Sequence, residues 1–275
     1  MRVAETVVVR GFLVFVGHCG YSKGVGTVPV PGIVMPTHLP VVSAAAKKSP
    51  HPTHVLVWHD IVPDGKKIVW FDTGVDEFAR QLDRLEDAGA VPTPVDALYE
   101  YLRTGQNPPP VRAVVLCFDD NTRGIYDYAF PELARRGYPF AVSAHTKYIG
   151  VRTGKDHCTW EQLREMEVSG SARIVSQTHT HPPDLRALSD AALRREMWES
   201  KIRQEENLAR TTRFLTYPSG KWDRRVAVAA AEAGYRLGLT EDHGSAESSP
   251  HLLGLRRWST HKRFAEAVAQ IRKVR

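Results

Sequence analysis

From residue 55 onward, short apolar runs alternate with longer stretches in which apolar residues recur at helical spacing. Six runs read as strands: Val55–Trp58, Val111–Phe118, Phe140–Ser143, Ala172–Ser176, Phe214–Tyr217 and Leu237–Thr240. Between them, Leu188–Arg210 is the longest helix candidate, with its charges on the exposed face. Ser189–Glu196 opens it with a capping hydroxyl and acidic first-turn residues. This alternation predicts an α/β protein. At 275 residues the chain is long enough for one barrel of alternating β and α units around a single core.

The first fifty residues follow a different pattern. Met1–Cys19 holds an apolar run, Gly11–Gly17, interrupted upstream by Arg10 and too short to span a bilayer. As a secretory signal it is poor, because Ala44-Ala45-Ala46 comes too late to serve Leu13–Val16 as a cleavage site, and His18 before Cys19 gives no lipoprotein context. Gly24–Lys48, rich in Pro, Val and Ala, reads as an extended linker or a strap along the barrel. The expected organisation is an N-terminal extension over residues 1–50 and one folded domain over 51–275, with no repeat and no transmembrane segment.

Composition changes this picture little. Hydrophobic residues make up 42% and charged residues 25% of the chain, which suits a soluble globular protein. The formal charge of +6 comes from 37 basic and 31 acidic residues that are spread along the chain, and no concentrated basic patch or known module points to nucleic acid. Arg224-Arg225 and Arg256-Arg257 read as solvated surface. Three cysteines, Cys19, Cys117 and Cys158, make no disulfide framework, and Cys117 reads as a small apolar filler within a strand.

Candidate chemistry starts at Leu116-Cys117-Phe118-Asp119-Asp120-Asn121, where two carboxylates directly follow a buried-strand pattern. An ionised carboxylate at such a place needs a cation, a strong donor or a perturbed proton to hold it. The plainer alternative is a solvated turn, since Asp-Asp-Asn is good turn chemistry. About sixty residues on, Ser176-Gln177-Thr178-His179-Thr180-His181-Pro182-Pro183 follows the apolar pair Ile174-Val175. Imidazole with carboxylate suits zinc or a similar divalent ion. A third segment, Phe214-Leu215-Thr216-Tyr217-Pro218-Ser219-Gly220-Lys221, reads as a strand and a tight turn whose backbone amides could line a pocket. His59 and Asp60 end another strand, as pocket-lining or as structural residues. Among Trp58, Trp70, Tyr217 and Trp222, the two that flank the third segment, Tyr217 and Trp222, are the candidates for stacking on sugar rings.

These three segments, in this order, resemble the polysaccharide deacetylase superfamily, also called the NodB homology domain or carbohydrate esterase family 4. The family's Thr-Phe-Asp-Asp-Gly motif matches Phe118, Asp119, Asp120 and Asn121, which implies Asp119 as catalytic base and Asp120 as metal ligand. Its His-Ser/Thr-x-x-His-Pro motif aligns with Gln177 to Pro182. His181 matches a ligand, but Gln177 stands where the first histidine is expected. The third motif, Tyr217-Pro218-Ser219-Gly220, is similar to the Tyr-Pro-Tyr-Gly of the poly-β-1,6-N-acetylglucosamine deacetylase branch, and Ser219 matches the backbone N–H that holds the oxyanion, with Tyr217 beside it in the catalytic group. The resemblance covers roughly residues 54 to 258. It includes Val57-Trp58-His59-Asp60-Ile61 as the opening strand, and helices over Val75–Ala88, Tyr126–Gly137 and Trp160–Met166.

What the resemblance implies is a distorted (β/α) barrel that hydrolyses N-acetyl groups on an N-acetylglucosamine-containing glycan. It further implies a divalent metal, zinc first and cobalt or nickel as alternatives, and an extracellular or cell-envelope setting. A histidine near the end of the barrel would serve as general acid, with His243, His251 and His261 all in the region. Three outcomes are open for the missing ligand: His179 supplies the imidazole, Gln177 coordinates weakly through its amide oxygen, or the metal site is degenerate and the protein is a catalytically impaired glycan-binding relative.

Overall fold

The computed structural model of the protein describes residues 39–67 and 69–274. The signal-like segment Met1–Cys19 and residues 24–38 of the linker-like stretch lie outside the described residues. Among those described, the strands are β1 His54–Trp58, β2 Ile61–Val62, β3 Thr73–Gly74, β4 Val91–Pro92, β5 Ala113–Phe118, β6 Phe140–Ala144, β7 Ala172–Ser176, β8 Phe214–Thr216, β9 Leu237–Leu239 and β10 Trp258–Ser259. The helices are α1 Ala44–Lys47, α2 Val75–Asp87, α3 Val95–Thr104, α4 Phe130–Arg136, α5 Trp160–Val168, α6 Asp190–Leu208, α7 Arg224–Glu232 and α8 Thr260–Lys273.

Eight strands form one parallel sheet in the order β10-β1-β5-β6-β7-β8-β9, with β4 paired to the start of β5. The sheet curls until one segment spans its ends: Leu255 bridges to Leu239 at the end of β9, and Trp258 pairs with Leu56 of β1. The result is the distorted (β/α) barrel that the family resemblance implies, built from the α/β alternation of the sequence. Strands β1, β5 and β6 are buried at every position, as parallel strands with helices outside and a filled interior must be.

Burial divides by residue parity. Leu56, Trp58, Leu116, Phe118, Phe140 and Val142 pack outward against Phe78, Leu82 and Leu85 of α2 and Val268 and Ile271 of α8. Their strand neighbours Val55, Val57, Val115, Cys117, Ala141 and Val175 point inward and pack with Val95, Leu98 and Leu102 of α3 and with Val42 and Ala46. Cys117 is fully buried in this interior, and burial pushes its thiol up to about 12, so it fills space as an inert apolar group. Residues 39–48 are held to the barrel by the Leu252 N–H donating to Pro40 O at 2.8 Å and the Ser43 N–H donating to Leu102 O at 2.7 Å.

The inward columns turn polar at the carboxyl ends of the strands. Each apolar interior position is followed, two residues later, by a residue with chemistry: His59 after Val57, Asp119 after Cys117, Ser143 and then His145 after Ala141, Gln177 after Val175, Thr216 after Phe214, and Arg257 after Leu255. Most boundaries shift by one or two residues from the sequence reading, and two of the shifts have identifiable local reasons. Strand β5 starts at Ala113 because Arg112 has a left-handed backbone (φ 61). The helix expected from Tyr126 opens as a single π turn, Ile125–Ala129, before α4, which carries Pro131 in its first turn.

Candidate active site

Asp119 continues the inward column of β5 and is only 3% exposed. It is held ionised by a buried partner: Arg257 Nη1 donates to Oδ1 at 2.9 Å and Nη2 to Oδ2 at 2.8 Å, and the Ser143 hydroxyl adds a bond to Oδ1 at 2.8 Å. Burial by itself raises the carboxyl; the guanidinium outweighs that and keeps it below the usual carboxylate range. Arg257 is 1% exposed, which corrects its reading as solvated surface. The available signal was its place between Leu255 and Trp258, on the side that alternation assigns to the interior.

Asp120 departs from the strand. Its φ of 73 and that of Asn121, 40, are left-handed, so the two adjacent carboxylates diverge instead of alternating along an extended strand. Asn tolerates that conformation better than most side chains, which is why it can stand where the family motif has Gly. The Asn121 carboxamide oxygen accepts the His145 backbone N–H at 3.2 Å.

Gln177 clamps Asp120 at two points. Its Oε1 accepts the Asp120 backbone N–H at 2.9 Å, and its Nε2 donates to Asp120 Oδ1 at 3.0 Å. The Asp120 N–H is a donor only, so the amide orientation follows from chemistry: the oxygen faces the backbone and the nitrogen faces the carboxylate. The same Nε2 lies 3.3 Å from His181 Nε2, which is itself 3.5 Å from Asp120 Oδ1. Gln177 thus presents N–H, not a lone pair, to the space between Asp120 and His181. This corrects its reading as a metal ligand.

The loop that carries His181 is pinned by Glu196 of α6. That carboxylate accepts from the His179 N–H at 3.0 Å, the Thr180 N–H at 2.8 Å and the Thr180 hydroxyl at 2.6 Å. His179 points away from the site, with Nδ1 on the Thr146 hydroxyl at 2.9 Å and Nε2 3.2 Å from Glu199. Its reading as a metal ligand is therefore corrected: the loop is irregular, with Thr178 and His181 both left-handed, so 179 and 181 do not share a face.

Two cavities meet over this residue set. One of about 310 Å³ is lined by Asp119, Gln177, Ser219, Gly220, Glu241 and His261, among others. The other, of about 490 Å³, is lined by Asp60, His145, Tyr148, Lys155 and His157, among others. His59, Phe71, Asp120 and His181 line both. Lys155 pairs with Asp60 at 3.1 Å and with Asp72. Burial lowers the His145 imidazole to about 3, opposed by the Asp120 carboxylate; burial also lowers His157.

Ser219 lines the smaller cavity in a left-handed conformation, φ 55. Tyr217 does not reach it: the ring is 1% exposed, its hydroxyl donates to Leu253 O at 2.8 Å, and it stacks on Trp222 at 6.0 Å. Tyr217 serves packing, which corrects its catalytic and sugar-stacking readings, whereas Trp222 is only half-buried, with its indole N–H donating to Asp242 Oδ2 at 3.1 Å. The exposed aromatic at the cleft is Trp70, 68% exposed, with the His261 ring 4.7 Å away and Lys262 Nζ 5.3 Å from its ring centre. Of the three late histidines only His261 lines the cleft, and burial lowers it to about 4; His251 and His243 pack against Trp222 and Trp258.

Comparison with known proteins agrees with this fold. Residues 106–238 match the polysaccharide deacetylase family model. The chain is 30% identical over 182 residues to YxkH of Bacillus subtilis (strain 168), a protein named for the same family; the match covers 66% of this chain and 63% of YxkH. The structure of the deacetylase PplD of Streptococcus pyogenes, in complex with acetate, superposes with a TM-score of 0.69 at 26% identity, covering 76% of this chain and 92% of that one. IcaB from Ammonifex degensii gives a TM-score of 0.71 at 24% identity, covering 81% and 97% of the two chains. With the family's Asp-Asp and His-Pro segments brought together at the carboxyl end of the family's barrel, the chain belongs to the polysaccharide deacetylase superfamily.

Proposed function

We propose that the protein is a metal-dependent hydrolase that removes N-acetyl groups from an N-acetylglucosamine-containing polysaccharide. The observation that carries this reading is the buried Asp119–Arg257 pair facing the cleft that Asp120 and His181 share. The donor set fits a divalent cation in part: carboxylate and imidazole converge to 3.5 Å, close to the roughly 3.3 Å between two ligand atoms of a tetrahedral zinc. Among the described residues no three His, Cys, Asp or Glu side chains close on one point as they stand. Asp120 and His181 are the residues that would hold a cation, which would supply Lewis acidity toward the acetamide carbonyl and the attacking water.

The chain's own residues carry the remaining steps. Asp119, kept ionised by Arg257, accepts the proton of the attacking water. The Ser219 N–H donates to the oxyanion as the carbonyl carbon becomes tetrahedral. His59 protonates the leaving amine: it follows β1 beside Asp119, lines both cavities, and its Nδ1 has no partner among protein atoms. His261 is less suited, because an imidazole lowered to about 4 carries little proton at neutral pH. The exposed Trp70 face supports a neighbouring sugar ring. A β-1,6-linked polymer of the cell envelope is the favoured substrate, from the Tyr217-Pro218-Ser219-Gly220 form of the third motif. Among the described residues no helix is long and apolar enough to cross a membrane.

Acetate release from an N-acetylglucosamine oligomer, with zinc, cobalt or nickel added, tests the reading, with Asp119→Asn expected to abolish release while keeping the fold. Retained release in that variant refutes Asp119 as base. A second reading, a glycan-binding relative with impaired catalysis, is favoured by the Gln177 amide nitrogen that faces both Asp120 and His181. Oligomer binding with no acetate under any metal would select it.

A further inference from the structure

Of the three carboxylates that line the smaller cavity, Asp119, Asp120 and Glu241, only Glu241 has no part in the steps above. It stands two residues past the end of β9. Its Oε1 accepts from Arg257 Nη2 at 3.1 Å and its Oε2 from the Ser259 hydroxyl at 3.3 Å. Asp119 already matches the charge of Arg257, so charge balance does not call for a second carboxylate on the same guanidinium. Geometry does.

Arg257 offers five side-chain N–H donors in a rigid plane. Nε donates to Thr240 O at 2.7 Å, Nη1 to Asp119 Oδ1, and Nη2 to both Asp119 Oδ2 and Glu241 Oε1. The Arg257 backbone N–H donates to Asp242 O at 2.8 Å. Three consecutive residues, 240 to 242, thus hold one arginine at its stem, its head and its main chain. The paired bonds to Asp119 fix the two side chains relative to each other, and the bonds to Thr240 and Glu241 fix that pair relative to the barrel.

The stem of Glu241 carries the other half of the site. Gly220 is left-handed, φ 63, and a Cβ placed on it would run into Glu241 Cβ and Cγ and lie 2.8 Å from the Glu241 backbone nitrogen. The turn through Ser219 is therefore seated directly on Glu241, an approach that glycine alone permits. Its entry is tied to the same strand, with the Tyr217 N–H donating to Leu239 O at 3.0 Å.

We infer that Glu241 is a positioning residue: its stem seats the Ser219–Gly220 turn and its carboxylate aims Arg257, so that one side chain sets the base Asp119 and the oxyanion donor in register. This rests on the deacetylase reading for the roles of Asp119 and Ser219, and adds the residue that holds them together. The demand on it is strict, because an oxyanion donor works at about 2.7–3.1 Å and a misplacement of ~1 Å costs on the order of 100-fold in rate.

Two replacements at this position, in the full chain, test the inference. Glu241→Gln keeps the stem and an acceptor for Arg257, with its amide nitrogen turned to the Ser259 hydroxyl; Glu241→Met keeps the stem and removes the acceptor. Acetate release from an N-acetylglucosamine oligomer with added zinc gives kcat and KM, and NMR of metal-free protein labelled at arginine follows the Arg257 guanidinium. Glu241→Gln should keep kcat within ~10-fold of wild type, whereas Glu241→Met should lose roughly 100-fold in kcat with KM within ~3-fold. The Nη2 protons should exchange with water about 10-fold faster or more in Glu241→Met, from the loss of one charge-assisted hydrogen bond. Equal kcat in the two variants overturns the inference, as does a loss carried by KM, which makes Glu241 a substrate contact, or unaltered guanidinium exchange. Each of these leaves the deacetylase reading intact, since wild type still releases acetate; a wild type that releases none under any metal removes both. If Glu241→Met fails to fold, Glu241→Ala takes its place with the same expected split from Glu241→Gln.

Discussion

Replacing Arg257 with Met keeps a long apolar stem and removes the charge that faces Asp119. Both groups are buried, at 1% and 3% exposure, and the pair is joined by two hydrogen bonds of 2.9 and 2.8 Å. Removing one partner of such a pair strands the other charge, at a cost of about 3–5 kcal/mol. For a domain of this size, with Tm moving ~2–4 °C per kcal/mol, that is a fall of roughly 6–20 °C. The pH dependence should change sign. In the wild type the Asp119 carboxyl is below its unfolded value, so its contribution is present above pH ~4 and is lost as pH falls through the folded value. Without the guanidinium, burial raises it, and the penalty present at neutral pH shrinks as the medium is acidified toward the unfolded value. Urea unfolding followed by far-UV circular dichroism between pH 5 and 8, on Arg257→Met and on Asp119→Asn/Arg257→Met, reads both effects. The double variant should recover much of the loss, because no charge remains unpaired. A loss under ~1 kcal/mol, a deficit that grows on acidification, or a double variant no better than the single one would refute the reasoning.

Two further outcomes follow from groups outside the cation site. His54 is buried edge-on to Trp258, with neither ring nitrogen partnered by protein, and burial lowers it to about 4. Its neutral form is the one the fold accepts, so stability is full above the unfolded value of ~6.5 and falls as pH drops toward 4, by on the order of 3 kcal/mol; His54→Leu should flatten that limb in urea titrations, and an unchanged limb contradicts the assignment. Glu196→Gln takes a charged acceptor from two backbone N–H groups and a hydroxyl, at about 1.5–3 kcal/mol. Amide exchange at His179 and Thr180 should accelerate, with acetate release falling more than stability does; unaltered protection at those amides argues that the loop holds itself.

Strands were legible because interior and exterior both demand apolar residues, and Val55, Val115 and Val175 signal that whatever the tertiary arrangement. Helix α6 was legible through its cap and length. Helices α3 and α8, by contrast, follow Pro94 and Ser259 directly with no capping side chain, and strands β2, β3, β4 and β10 are two residues long, below what periodicity can register. At the cleft, the convergence of Asp119, Asp120 and His181 was legible from motif and strand end together. Tyr217 was misread because adjacency to a motif says nothing of direction: its ring enters the cluster of Leu215 and Tyr235. His179 was misread because strand alternation was carried into a loop whose left-handed residues abolish it.

Alternation was nonetheless the stronger tool where the strands persist. Carried two residues past each apolar column, it collects Asp119, Ser143, Gln177, Thr216 and Arg257, four of which are directly hydrogen-bonded to one another around Asp119. No linear motif could assemble that set, since its members come from four strand ends and one connecting segment spread over 138 residues between Asp119 and Arg257. The same count places His145 beside Gln177. A barrel stacks inward side chains from different strands in layers, so residues far apart in sequence meet in one layer at its carboxyl end. The chemistry of this site is therefore read around the ring, across strands, as well as along the motif.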